Sequence, residues 1–264
     1  MPSLNAIWAI YLRHYRLLVR DANLLLATFY WPLLDILIWG FLGSWIQRIQ
    51  SGGLEQYEVI ALLGIVLWQT TCRSAIVTAG AFVEELWSRN ILNLLSLPIS
   101  LFEWIAGITL YNFILSCATS AYCMLLIFLI YHFPMWSFIS SFCLFAFPLF
   151  LSGLWLGFMC LYLVTILGKR SHELAYVLAW FFAPFSTAFY PKEILPEWAQ
   201  TVSAFLPMSY IFEGMRAYLI QGANPTIPIL KALIMSSAYL TIAIFIFRYG
   251  FNKSKNKGLA RLAD

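Results

Sequence analysis

Residues 187–200 read TAFYPKEILPEWAQ, two prolines (Pro191, Pro196) and three charges (Lys192, Glu193, Glu197) set between long apolar stretches. Proline at a first helical position with an acid in the first turn is a helix start, here Pro196 and Glu197, and Pro207 marks a stop. Between them Trp198, Val202 and Phe205 repeat at helical spacing. A helix of about ten residues is about 15 Å long, half a bilayer core. A second short helix is expected from about Tyr210 to Leu219, with Glu213 and Arg216 at i, i+3 and Gly222 just past its end. Together they read as a re-entrant hairpin over about 190–222; the alternative is an amphipathic loop on the outer surface. Irregular backbone at membrane depth requires protein or a water-filled cavity to satisfy its polar groups.

The rest of the chain fixes the solvent. Of 264 residues 62% are hydrophobic, 18% aromatic and 11% charged, whereas a soluble domain is about a quarter charged. This composition belongs to a chain dissolved in lipid. Six apolar runs meet the need for about 20 residues to cross the core: 24–46, 57–82, 103–131, 137–167, 173–190 and 226–249, the fifth being the shortest. The expected architecture is therefore an all-α membrane protein in three parts. Residues 1–23 form an interfacial helix, 24–250 a six-span domain, and 251–264 a basic tail. The opening residues have no A-x-A-like cleavage site, so the first span is expected to remain in the mature protein.

Basic residues set the orientation. With the N-terminus inside, the cytoplasmic segments hold Arg13, Arg16, Arg20, Arg89, Lys169, Arg170, Arg248, Lys253, Lys255, Lys257 and Arg261. The outer ones hold Arg48, Lys192, Arg216 and Lys231. Both termini are thus expected in the cytoplasm. The net charge of +4 is a topogenic and lipid-headgroup signal, and no nucleic-acid partner is expected. Cys72, Cys117, Cys123, Cys143 and Cys160 all lie in spans without a C-x-x-C pair and read as small packing residues.

Two cytoplasmic segments carry amphipathic patterns. On α-helical periodicity Leu4, Ile7, Trp8, Tyr11, Tyr15, Leu18 and Val19 share one face, opposite Arg13, Arg16 and Arg20. That suits an interfacial helix, acting as an anchor or in gating. The segment VEELWSRNILNLLSLPIS (83–100) predicts a short helix over 84–95, ended near Pro98. It places Glu85, Arg89, Asn90 and Asn93 on one face with an i, i+4 pair of Glu85 and Arg89, and Trp87, Ile91, Leu94 and Leu95 on the other. Leu86 falls on the polar side, where it is either a stray surface leucine or a contact for a cytoplasmic partner.

Asp35 and Arg73 lie inside the first and second spans, both at about 14–16 Å depth by helical rise. They are placed to pair, as a register-fixing element or a functional one. Aromatic side chains, including Tyr30, Trp31, Trp68, Phe185 and Phe189, crowd the same region and either pack or line a path. Pro32 and Pro148 are expected to kink their helices, and Gly153 to Gly157 spells a G-x-x-x-G that permits close helix approach. No G-x-x-x-x-G-K-[ST], H-E-x-x-H or G-x-S-x-G occurs, so the chain carries no nucleotide-hydrolysing, zinc-protease or serine-hydrolase motif.

The order of these features, with LNLLSLPISLFEWIAG after the cytoplasmic helix and FYPKEILPEWAQTVSAFLPMSYIFEGMRAYL before the last span, resembles the permease subunits of type-2 ABC exporters over nearly the whole chain. The resemblance implies an ATP-driven exporter of a drug-like, lipid or glycan substrate, working as a homodimer in the inner membrane of a bacterial cell. Two copies of a soluble ABC ATPase would supply ATP and Mg chemistry; the chain itself would hold no cofactor and no metal and would not be an enzyme. By this likeness Glu84, Glu85, Leu86, Trp87, Arg89 and Asn90 form a coupling helix seated on the ATPase. Tyr30, Trp31, Trp68, Phe185, Phe189, Glu213 and Arg216 fall on or near the translocation path or its exit. A secondary transporter or channel using Asp35 and Arg73, or a non-transporting scaffold, are the competing classes; the first needs a relay or an inverted repeat, neither of which is visible.

Overall fold

The computed structural model describes residues 3–49, 55–88, 93, 96–132, 139–167 and 174–256. Among them the regular structure is helical: α1 (Leu4–Arg20), α2 (Ala22–Ile49), α3 (Glu55–Trp87), α4 (Leu101–Tyr131), α5 (Ile139–Leu167), α6 (Leu174–Phe181), α7 (Glu197–Ala204), α8 (Pro207–Gln221) and α9 (Thr226–Asn256). Five of these, α2, α3, α4, α5 and α9, are long and apolar enough to cross a membrane.

Burial divides the five into two layers. The apolar stretches of α3 and α5 are 83% and 67% buried, while those of α2, α4 and α9 are each 22% buried. Two inner helices are therefore flanked by three that stay largely exposed on the single chain. Lipid is as apolar as the core, so this packing relies on close fit and interhelical hydrogen bonds. At the α3–α5 seam, a Cβ on Gly153 would lie 2.4 Å from the Thr71 carbonyl oxygen, and one on Gly157 would lie 2.6 Å from Thr78 Cβ. The G-x-x-x-G thus sets an intramolecular contact. Hydroxyls bond the backbone around Pro148: from α3, Thr71 donates to the Leu149 carbonyl (3.3 Å) and Ser74 to that of Phe150 (3.1 Å), and within α5 Ser152 donates back to that of Pro148 (3.0 Å). Asn112 of α4 joins this layer, donating to the Ser74 carbonyl and the Thr78 hydroxyl at 2.8 Å each.

The two ends of the bundle differ. At one end α1 lies across the last turn of α3 and the first turns of α4, with the last turns of α5 and α9 nearby, where Phe82 meets Phe251 and Gly250 meets Tyr162. At the other end the α7–α8 hairpin covers the early part of α3 and α9. The Ala188 carbonyl oxygen would be 3.0 Å from a Cβ on Gly64, Tyr239 donates to the Phe205 carbonyl (3.0 Å), and Lys231 stands 4.1 Å over the Tyr210 ring.

Four expectations change. The expected fifth span, 173–190, is met by the eight-residue α6, a 3-10 turn over Ala183–Phe185, and a reversal at Thr187 with φ 58°. Pro184 at the start of the 3-10 turn lacks the N–H to continue the helix. The expected start of a separate cytoplasmic helix at 84 is instead the continuation of α3 through Trp87. The expected tail begins as helix, because α9 runs to Asn256. The face of α1 that turns inward carries Ile10, His14 and Leu18, while Trp8, Tyr15 and Val19 stay exposed.

Candidate functional site

The junction of α1, α3 and α4 is built from a few polar anchors. Ser100 caps α4, and Glu103 completes a capping box: its Oε2 accepts from the Ser100 N–H and hydroxyl, each at 2.7 Å. The other carboxylate oxygen accepts from the Ser3 N–H at 2.6 Å. One side chain thereby caps α4 and holds the start of α1. Further along, a Cβ on Gly107 would be 2.7 Å from Ile10 Cβ and 3.0 Å from the Ile7 carbonyl oxygen. The glycine lets the two helices touch backbone to side chain.

His14 continues the seam, its ring 5.5 Å from that of Tyr111. Burial, and second the adjacent Arg13 charge, pull its pKa from an ordinary 6.5 down to about 4. It is therefore neutral at pH 7. On the α3 side Arg13 donates to Glu85 Oε2 at 2.8 Å, the Glu85 side chain being 1% exposed and that of Arg13 37%. Thus α1 clasps the helix that enters the 89–95 segment and the helix that follows it.

This geometry revises the reading of 84–95. Glu85 faces Arg13 across the seam instead of lying on a water-exposed face. Leu86 is 1% exposed and sits in the core, so it offers no surface to a partner. Its orientation follows the phase of α3, which buries this side of the helix. Glu84 is partly buried. Trp87 ends α3, and its side chain, with Arg89 and Asn90, lies outside the described residues.

Within the bundle Asp35 of α2 accepts a hydrogen bond from the Gln69 amide of α3, and Arg73, one turn further along α3, is close enough for its charge to act on the Asp35 carboxylate. Asp35 and Arg73 thus lie in the same layer of α2 and α3, with Gln69 as the hydrogen-bond partner of the carboxylate. Tyr30 and Trp31 are 50% and 58% exposed and form an edge-on pair at 5.9 Å. Trp68 is 1% exposed and packs against Phe189 (6.1 Å), Trp180 and Phe212 (6.4 Å each). Phe189 also stacks on Trp39 at 5.0 Å, and Phe185 meets Trp198 edge-on at 5.8 Å.

At the hairpin end Glu213 and Arg216 pair at 2.6 Å. Arg216 donates to the Thr187 carbonyl (2.5 Å), and Glu213 accepts from the Lys192 N–H (3.0 Å). These two side chains pin the left-handed reversal after α6 to α8, which explains how a non-glycine residue is held at positive φ there.

Sequence reasoning missed Arg13 as an anchor, along with His14, Gly107 and Gln69. The Ser100-x-x-Glu103 spacing before an apolar run was a usable signal for the α4 cap. No local signal links Arg13 to Glu85.

No individual curated protein matches the chain. Residues 5–220 match the ABC-2 type transporter family, a span that starts inside α1, takes in the Arg13–Glu85 pair and ends in the last turn of α8. The chain belongs to the ABC-2 type transporter family and is a multi-pass membrane permease of an ABC transporter, a family that implies pairing with an ABC ATPase subunit.

Proposed function

We propose that the chain is the membrane half of an ATP-driven exporter, a homodimer bound to two copies of a soluble ABC ATPase, moving an amphiphilic, drug-like, lipid or glycan substrate outward. The observation that carries this reading is the clasp: α1 is hydrogen-bonded to α3 through Arg13 and Glu85 and to α4 through Ser3 and Glu103, on either side of 89–95. A push from an ATPase at that segment acts on both helices and on α1 together. ATP binding to the ATPase pair would favour one arrangement of the clasp, a population shift set by differential affinity. Residues 89–95 serve as the docking element, Arg89 and Asn90 among them, with the last turn of α3 as its rigid lever. Leu86 transmits through packing.

The uncovered apolar faces support the dimer and the path. Tyr30, Trp31, Ile38, Phe41 and Trp45 of α2 and Val177, Trp180 and Phe181 of α6 are all exposed on the single chain. Part of this surface would face the second copy and part the substrate. The break after α6 and the α7–α8 hairpin form the outer, re-entrant wall of the path. Trp198 and Phe205, 64% and 66% exposed, would seat that wall in the outer leaflet of a bacterial inner membrane, leaving both termini in the cytoplasm.

The test is co-reconstitution with a cognate ABC ATPase subunit. Arg89→Glu with Asn90→Asp should weaken ATPase binding about tenfold or more, the scale of lost charge-assisted contacts, while the purified chain melts unchanged. Unaltered binding by that variant would remove 89–95 from the interface.

A further inference from the structure

Where the last turns of α5 and α9 part, on the same end as α1, they leave a cavity of about 170 Å³ lined by Tyr162, Thr165, Ile166, Tyr249, Gly250, Lys253 and Ser254. That is several times the roughly 30 Å³ a water occupies in the liquid. The two helices are in tight contact at its wall, since a Cβ on Gly250 would come within 2.7 Å of the Tyr162 ring.

Ser254 is the unexplained group. It is 2% exposed, lines the cavity, and its hydroxyl has no hydrogen-bond partner. Buried hydroxyls are nearly always bonded, and a helical serine commonly bonds back to a carbonyl one turn earlier. Thr165 in the same wall does so, donating to the Tyr162 carbonyl at 2.7 Å. An orphaned donor on a residue that lines a cavity calls for an acceptor.

Charge selects the sign of that acceptor. Lys253 lines the cavity, Arg248 and Lys255 lie within two turns of it, and neither α5 nor α9 contains an aspartate or glutamate. The helix C-termini contribute roughly half a negative charge each, which the full charges of Lys253 and Lys255 on α9 offset locally. Depth selects the source. At 1.5 Å per residue α9, with 31 residues, is about 46 Å long against a core of about 30 Å, so its last turns stand at headgroup level. Tyr162 and Tyr249 suit that level too.

We infer that this cavity binds the phosphate of an anionic lipid headgroup, with the Lys253 ammonium as counter-charge and the Ser254 hydroxyl as hydrogen-bond donor. The site goes beyond the transport reading and does not depend on it: it would bind lipid with or without an ATPase present.

The experiment is native mass spectrometry of the full chain, delipidated in detergent and titrated with phosphatidylglycerol or phosphatidylcholine. Wild type should retain phosphatidylglycerol preferentially. Lys253→Gln, at an exposed position, should weaken that retention about fivefold, the worth of one lysine near an anionic headgroup, and Ser254→Ala should weaken it further in the double variant. Phosphatidylcholine should be unaffected. Without lipid, Ser254→Ala should melt at or above the wild-type temperature, because it removes an unsatisfied buried group; a clear drop would make Ser254 a packing residue and overturn the inference. Equal phosphatidylglycerol retention by wild type and both variants would also overturn it. Displacement of phosphatidylglycerol by millimolar inorganic phosphate would overturn the lipid assignment in favour of a free phosphate.

Discussion

Replacing Arg13 with alanine should loosen α1 from the bundle, and the structure sets the size of the effect. Removing one partner of a fully buried ion pair costs about 3–5 kcal/mol, whereas a fully exposed pair is worth about 0–1 kcal/mol. Glu85 is 1% exposed but Arg13 is 37% exposed, so water already screens one end of the pair. An intermediate cost of about 2 kcal/mol follows, roughly a 30-fold shift in the docked–undocked equilibrium of α1. Hydrogen–deuterium exchange of the α1 amides, with the protein in lipid nanodiscs, reads this directly, because local opening free energies govern exchange. Arg13→Ala should speed exchange across Leu4–Arg20 by about that factor while α5 and α9 stay protected. The swap Arg13→Glu with Glu85→Arg should recover part of the loss, since it restores opposite charges at the same place. Exchange changed by less than about twofold, or a swap no better than either single substitution, would refute the clasp.

Four further outcomes follow from the same geometry. His14 is held neutral in the docked state, so the undocked chain takes up its proton first; α1 docking should be unaffected above about pH 7.5, weaken as pH falls from 6.5 towards 4, and lose the part of this dependence above about pH 5.5 in His14→Phe, as read from Trp8 fluorescence. Gly153→Ala places a methyl 2.4 Å from the Thr71 carbonyl oxygen and should lower the melting temperature in detergent, at a cost of about 1–3 kcal/mol. Gly80→Ala meets nothing within 4 Å and should be neutral or stabilising by up to about 1 kcal/mol. Asp35→Asn keeps an acceptor for Gln69 but loses the charge facing Arg73, and it should lower thermal stability or dimer yield; normal assembly with abolished transport would instead make Asp35 a functional group.

The spans were legible in the sequence because a membrane imposes length and apolarity on any helix that crosses it, and α2, α3, α4, α5 and α9 meet both. Hydrophobicity says nothing about whether a run continues as one helix, so 173–190 looked like a crossing although Pro184 and the reversal at Thr187 interrupt it. Phased from 84 alone, the segment puts Leu86 on its polar side; the helix runs from Glu55, and that longer phase turns Leu86 inward. For α1 the apolar face and the inward face are different things. Lipid and protein both accept aromatic side chains, and the inward choice was made by Gly107 and Glu85, far away in sequence, which receive Ile10 and Arg13. The two short helices were legible from Pro196 before the first and from Gly222, which takes the left-handed cap of the second at φ 64°, whereas Pro207, expected as a stop, opens the second helix. Its fastening through Arg216 to Thr187 was not, because a bond to a backbone carbonyl leaves no mark on composition.

The central claim is that this permease passes force between an ATPase and its own bundle through the clasp of α1, α3 and α4. The most direct measurement is the ATP hydrolysis rate of the partner ATPase in nanodiscs, alone, with the wild-type chain and with Arg13→Ala. The wild-type chain should alter the rate severalfold, and Arg13→Ala should return it towards that of the ATPase alone while the complex stays assembled. A rate indifferent to the chain, or identical with wild type and Arg13→Ala, would contradict it.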